Sequence, residues 1–372
     1  MKETELSAVF ARNLRQARRN LGFTQKSLGE RIGYSEKSVS KWESGEVIAP
    51  SNVLPALSEV LQVSIDSLLK GDSEPKYFLG VDGGGTKCDF LLTDANGKTV
   101  AKAVLGSCNP IDIGMEAALK VLKEGFDLVL EGISPSQVSV FVGIAGGISG
   151  DNKQKIAAFL QKCHFAKAEN GSDAENAVAA ALGLRDGIAV IAGTGSIAFV
   201  KQGKSLRRFG GHGYLIDKGG NGFSMGSAAL RTALLYEEGS IKEGRILYSL
   251  VKEKCGRNSV LEAISDFYSG GKREIASYAV LVFEAAKRGD TAALGILKEN
   301  AACIAQLIES AGKAVSQKAV TVALVGGLTS QSGVLLPLIK KELTQKEKYK
   351  IEVFVGSPVK GAVLLAGGNY NA

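Results

Sequence analysis

Residues 78–93 read FLGVDGGGTKCDFLLT, and the order of parts in that stretch restricts the fold more than any other feature. An apolar run reaches Asp82, three glycines and Thr86-Lys87 follow, and a second apolar run begins at Cys88. With no room for a helix between them, the two runs read as strands joined by a glycine hairpin. The common phosphate motifs GxGxxG and GxxxxGK[ST] instead send a glycine loop into a helix, and neither spelling fits this stretch. Consecutive glycines let backbone N–H groups approach a polyphosphate without side-chain obstruction and tolerate positive φ in the turn. An Asp at the end of the first strand can hold Mg²⁺, usually through water. Taken alone, the same residues also suit a plain tight turn.

The pattern recurs. Residues 188–192 form a second short apolar run, Gly193-Thr194-Gly195-Ser196 is again small and rich in donors, and 197–200 is again apolar. Two such units at domain-sized spacing imply two related α/β halves, each presenting a hairpin to a shared cleft. A third element follows at 319–325, a buried-type strand entering Gly326-Gly327 and then a helix from Val334. Glycines there would let an adenosine lie flat against the backbone. Between the hairpins, the expected elements are a strand over 98–105, a helix over 114–130, a buried strand over 138–144 and a helix over 152–162.

DGGGTK, AGTGS and VGGL, in that order, resemble the phosphate-one, phosphate-two and adenosine motifs of actin-like ATPases and sugar kinases. The closest branch is the BadF/BcrA-type ATPase family, whose members include N-acetylglucosamine kinases. The closing SPVKGAVLLA is similar to that family's C-terminal signature, so the resemblance covers residues 77–372. It implies a duplicated two-lobe α/β fold of actin-like (ribonuclease H-like) type. ATP would be gripped by Asp82, Gly83, Gly84, Gly85, Thr86, Lys87, Gly193, Thr194, Gly195, Ser196, Gly326 and Gly327, with Mg²⁺ at Asp82. Asp151 stands where such kinases carry a catalytic base, and it also suits the N-cap of the next helix. Asp173 stands where relatives have a ligand-contacting Asp, and a capping role fits it equally. Asn109 is similar to an Asn that meets the sugar, and a turn role before Pro110 is the alternative. Relatives read G-W-G-x-x-x-G-D-E-G-S-G where this chain has residues 211–222. The Asp-Glu pair becomes Lys218-Gly219, and His212 replaces the Trp beside Gly211. That departure implies an altered grip on sugar hydroxyls around Gly211 and His212.

The N-terminal segment is a different kind of sequence. Phe10, Leu14, Ala17 and Leu21 repeat at helical spacing, Thr24-Gln25 opens a second helix that Gly33 stops, and Tyr34-Ser35 begins a third with Val39 and Trp42 inward. TQKSLGERIGYSEKSVSKWESG resembles the Cro/phage-repressor (XRE) helix-turn-helix family. By that resemblance Gln25 would touch a DNA phosphate while Glu36, Lys37, Ser40 and Lys41 face base edges or backbone. The net charge of +7 is front-loaded, with Lys2, Arg12, Arg15, Arg18, Arg19, Lys26, Arg31, Lys37 and Lys41 against Glu3, Glu5, Glu30 and Glu36, which suits an anionic polymer. Such modules bind paired half-sites, so a homodimer is expected. The expected division is an all-α helix-turn-helix domain over 1–71, a linker over 72–76, a first lobe over 77–187 and a second over 188–372.

Five cysteines are scattered with no CxxC, which argues against disulfides and zinc. No run of about 18 apolar residues is present, and the charged N-terminus lacks a signal-peptide core, so a cytoplasmic protein without membrane contact is expected. Two functional readings stay open. One is a transcription regulator whose kinase-like module binds ATP and an amino sugar or sugar phosphate as effector. The other is an active amino-sugar kinase carrying a DNA-binding arm.

Overall fold

Local signals in the first seventy residues set five helices, α1 (Glu3–Asn20), α2 (Gln25–Ile32), α3 (Glu36–Ser44), α4 (Leu54–Leu61) and α5 (Ile65–Leu69). The structure is a computed structural model, and it describes residues 3–69, 75–203 and 205–370. Most of the expected linker, residues 72–74, lies outside the described residues. Thr24 caps α2 in a reciprocal box with Ser27, at 2.9 and 3.0 Å. Gly33 closes that helix at φ 75°, and Ser35 caps α3 through the Ser38 N–H. Each cap satisfies donors that a helix end leaves open. Phe10, Leu14, Leu28, Val39, Trp42, Leu57, Leu61 and Leu68 form the core.

One charged pair sits inside that apolar packing. Glu43 accepts Arg18 Nε at 2.5 Å and Nη2 at 2.9 Å, and Gln25 Nε2 at 2.9 Å. Its side chain is 1% exposed. Burial alone would push the Glu43 carboxyl up, but the Arg18 and Gln25 hydrogen bonds and the nearby guanidinium charges hold it below its ordinary value.

The rest of the chain is built on two five-stranded sheets. The first contains β1 (Tyr77–Gly83), β2 (Cys88–Asp94), β3 (Thr99–Leu105), β4 (Val138–Ile144) and β5 (Lys167–Gly171), in the order β3-β2-β1-β4-β5. Helices α6 (Pro110–Ile113) and α7 (Met115–Val129) follow β3, α8 (Asn152–Lys162) follows β4, and α9 (Asp173–Leu182) follows β5. The second contains β6 (Gly187–Ala192), β7 (Ser196–Gln202), β8 (Ser205–Gly210), β9 (Val320–Val325) and β10 (Tyr349–Val353), in the order β10-β9-β6-β7-β8. Between β8 and β9 lie α10 (Gly222–Glu237), α11 (Arg245–Cys255), α12 (Ile264–Ser277), α13 (Ala279–Lys287) and α14 (Thr291–Gly312). Then come α15 (Ser332–Glu342) and α16 (Pro358–Leu365). Both sheets follow one plan: a middle strand, β1 or β6, with an antiparallel meander on one side and two parallel strands on the other. The duplication read from the two glycine hairpins is therefore present strand for strand.

The expected end of the second lobe needs correction. The chain divides into Met1–Asn176 with Pro358–Ala372, and Ala177–Ser357. Helix α16 returns to the first sheet, where Val359 and Val363 pack on Leu91, and Ala362 and Ala366 on Phe141. A Cβ on Gly80 would lie 2.6 Å from Val359 O, so β1 is bare where the helix crosses it. Sequence periodicity reports a buried helix but not which sheet buries it.

Replacing Glu43 with Ala should destabilise the helical domain by about 3–5 kcal/mol, because Arg18 would be left buried and unpaired. Replacing both Arg18 and Glu43 with Leu should cost less than the single change. Trp42 is the only tryptophan, so its fluorescence during melting isolates this domain. The Glu43 contribution is fully present above the ordinary value of 4.5 and should be lost as pH falls through the lower value in the folded protein.

Candidate functional site

The first hairpin is an extension of the sheet. Gly83 pairs with Cys88, and the Gly84 N–H donates to Lys87 O at 2.8 Å, leaving Gly85 and Thr86 at the exposed tip. None of Gly83, Gly84 and Gly85 adopts a left-handed φ, contrary to the expectation from the sequence. Space is the reason for Gly83, while Gly85 is approached only by the end of a flexible side chain. A Cβ on Gly83 would lie 2.1 Å from Cys108 Sγ, and one on Gly85 would lie 2.8 Å from Asp112 Oδ2. Lys87 turns to Asp89, Nζ to Oδ2 at 2.7 Å.

Asp82, the residue before the end of β1, is largely desolvated. Burial pushes its carboxyl from 3.8 up to about 6, the Asn176 hydrogen bond opposes that rise, and the charges of Asp173 and Asp89 add to it. Asp173 is itself raised, mainly by burial. A desolvated Asp82 raised further by the charge of Asp173, beside a phosphate-type hairpin, suits Mg²⁺, which binds through one or two carboxylates and substrate phosphates. Among the described residues no group of three or more His, Cys, Asp or Glu side chains is arranged as a metal cage. Asn176, one helical turn after Asp173 on α9, was missed in the sequence because an Asp before an Ala-rich helix reads as a cap. The three-residue spacing on one face was the available signal.

The other residues expected in this unit have local partners. Asn109 caps α6 through the Ile111 N–H and donates to Asp112 Oδ2 at 2.7 Å. Asp151 sits at the head of α8, exposed and paired with Lys155 at 2.9 Å, and makes no side-chain capping bond. Asp173 Oδ1 accepts the Ala174 N–H.

In the second unit, the Gly193 N–H donates to Gly195 O at 2.9 Å, and Thr194 and Gly195 form the exposed tip. Here too neither glycine is left-handed, and a Cβ on either would meet nothing within 4 Å. The space above this turn is open. Ser196 is committed elsewhere, its hydroxyl donating to Gly219 O at 2.8 Å. Gly326 does need its conformation: φ is 107°, and a Cβ would lie 2.5 Å from Ala192 O. A cavity of about 350 Å³ joins these motifs, with Gly193, Thr194 and Gly222 at one part of its lining, Gly327, Leu328 and Gln331 at another, and Ala276, Val280 and Phe283 as apolar wall. Arg273 and Ser277 complete the polar rim. Both come from α12, which kinks at Gly271 and offers no motif to a sequence reading.

The loop before α10 is a closed knot. Asp217 accepts the His212 N–H at 3.0 Å and the Gly213 N–H at 3.1 Å, and His212 Nδ1 lies 3.3 Å from Asp217 Oδ1. Gly211 is left-handed at φ 70°. Asn221 caps α10, and Asn300 Oδ1 accepts the Gly220 N–H.

In the helical domain Glu36, Lys37, Ser40 and Lys41 are all exposed on α3, while Val39, Trp42 and Glu43 are buried. Gln25 is half-buried against Glu43, a role the sequence reading did not assign.

The two sheets, with their hairpins, have counterparts among known proteins. A model of the BadF/BadG/BcrA/BcrD ATPase family matches residues 79–366. The chain belongs to that family. A helix-turn-helix family model matches residues 14–68, so this BadF-type chain carries a helix-turn-helix domain ahead of its sugar kinase/actin-like fold. An N-acetylmuramic acid/N-acetylglucosamine kinase of Clostridium acetobutylicum is 31% identical over 309 residues, 78% of this chain and 98% of that protein. The HTH-type transcriptional regulator DicA of Escherichia coli is 43% identical over 61 residues, 16% of this chain and 45% of that regulator. Among solved structures, a protein of Chromobacterium violaceum assigned as an N-acetylglucosamine kinase shares the fold with a TM-score of 0.57 at 24% identity, over 78% of this chain and 99% of its own. Among the described residues, no helix is long and apolar enough to cross a membrane.

Because Asp82 binds its proton more tightly in the folded chain than in the unfolded one, its contribution lowers stability as pH rises from about 4 to about 6. Asp82→Asn should therefore melt several degrees above the parent at pH 7.5, with the gap narrowing as pH falls through about 6 and closing near pH 4, and should lose any magnesium-dependent nucleotide shift. Gly193→Val should leave the melting temperature without nucleotide within about 2 °C, since its side chain enters open space, and should abolish the nucleotide-induced shift measured by differential scanning fluorimetry.

Proposed function

We propose that this protein is a DNA-binding transcription regulator whose BadF-type module binds ATP and an amino sugar or sugar phosphate as effector. The observation that carries this reading is the state of the two modules. On α3, four polar side chains stand exposed over a complete, capped and ion-paired core. In the kinase-like loop, by contrast, Lys218-Gly219 replaces the relatives' Asp-Glu, and Asp217 is occupied by the His212 and Gly213 N–H groups. A DNA module in working order beside an altered sugar loop favours sensing over turnover.

In this reading ATP is held at the Asp82–Lys87 and Gly193–Ser196 hairpins with its adenosine in the cavity beside Gly326 and Gly327. Asp82 would hold Mg²⁺, with Asp173 contributing charge, and the ion would supply charge neutralisation on the phosphates. Asn109, Asp173, Gly211 and His212 would meet the sugar. Gln25, Glu36, Lys37, Ser40 and Lys41 would contact DNA, and a homodimer would present two such domains to paired half-sites.

A second reading, an active amino-sugar kinase with Asp151 as base, is favoured by the near full-length similarity to the Clostridium kinase. The two separate cleanly. Retardation of its own upstream DNA should weaken roughly 5- to 150-fold on Lys37→Ala, the range of about 1–3 kcal/mol for one base-reading contact. Steady ATP-dependent phosphorylation of N-acetylglucosamine or a related sugar at ~1 s⁻¹ or faster would instead establish the kinase.

A further inference from the structure

The amide of Asn176 is fully buried, and its surroundings are hard to explain as packing alone. Nδ2 lies 2.8 Å from Asp82 Oδ1, 2.9 Å from Gly143 O and 3.1 Å from Val81 O. Three acceptors around two N–H bonds fix the orientation, because a flipped amide would set its oxygen against all three. The remaining atom, Asn176 Oδ1, is buried without a hydrogen-bond partner. A buried acceptor left unpaired is unfavourable, and such groups call for a reason beyond structure. The backbone makes room for this arrangement, since a Cβ on Gly143 would lie 2.3 Å from Asn176 Oδ1 and 2.4 Å from Nδ2. One side chain of α9 thus ties the paired ends of β1 and β4 to the carboxylate at the head of the hairpin.

We propose that Asn176 is a positioning residue for the Asp82 carboxylate: it engages Oδ1 and leaves Oδ2 as the oxygen available to a divalent cation or its water. The inference rests on the nucleotide reading above. A carboxylate at a strand end has two rotatable bonds, and a metal site formed with phosphates needs it in one orientation. A neutral amide fixes that orientation without a counter-charge competing with the cation. Outer partners of metal-binding groups typically set affinity by about 10- to 100-fold.

The test uses the full chain, ADP, and Mg²⁺ or Mn²⁺, read by thermal shift and by calorimetric metal titration. Asn176→Ala should raise the metal half-saturation about 10- to 100-fold while leaving the shift with metal-free ADP unchanged. Added to Asp82→Ala it should weaken metal binding no further. Gly143→Ala, which displaces the amide without removing it, should act in the same direction and serves if Asn176→Ala does not fold. An unchanged metal half-saturation, a proportional loss of metal-free and metal-dependent binding, or full additivity with Asp82→Ala would each overturn the assignment. A parent chain that shifts with no nucleotide, with or without metal, would overturn the nucleotide reading itself and this inference with it.

Discussion

The middle strand of each sheet is paired with its hairpin partner up to its last residue and then reverses in a glycine-rich turn. Gly83 is registered against Cys88 on one side and Ile144 on the other, and Ala192 against Ser196. A loop with slack could place its N–H groups anywhere, whereas these turns are fixed by the ladders that precede them. The nucleotide-type loops therefore inherit the rigidity of the sheets, which is the arrangement a preorganised anion site requires. Most other features of the α/β units follow from what has to fit around those two ends: Cys108 beneath Gly83, and the closely apposed Ala192 and Gly326.

The two buried carboxylates of the first unit's sheet and the helical domain show opposite electrostatic solutions. Glu43 is surrounded by donors and charge, so its burial is offset and it serves the core. Asp82 has one amide against it, with Asp173 and Asp89 nearby, so its ionised form stays costly. Strain of the first kind is resolved within the chain. In the proposed nucleotide reading, the second kind is offset by a cation bound from outside the chain.

Features set by short-range pattern were legible in the sequence. The strand over 138–144 and the helix over 152–162 have the expected ends, both hairpins are where the glycines stand, and Thr24, Gly33 and Ser35 punctuate the helical domain as read. Features set by proximity were not. Arg18 and Glu43 are distant in the chain, the spacing of Asp173 and Asn176 puts them on one helix face without naming what that face meets, and Arg273 reaches the cavity from the kinked α12. The glycine turns stand where they were expected, but none of the three in the first hairpin is left-handed, and excluded volume accounts for Gly83. Ser196 shows the same limit, since its hydroxyl has a partner 23 residues away.

The return of α16 to Gly80 carries a consequence for biosynthesis. The helical domain has all its core residues within the first seventy positions, so it can collapse soon after leaving the ribosome. The first sheet cannot be finished in that order: Leu91 and Phe141 wait for α16, which follows the second unit in the chain. Translation must pass through the entire second unit before that apolar face is covered. A nascent chain stalled short of Pro358 would display it, so a chaperone has most to protect until α16 has been made.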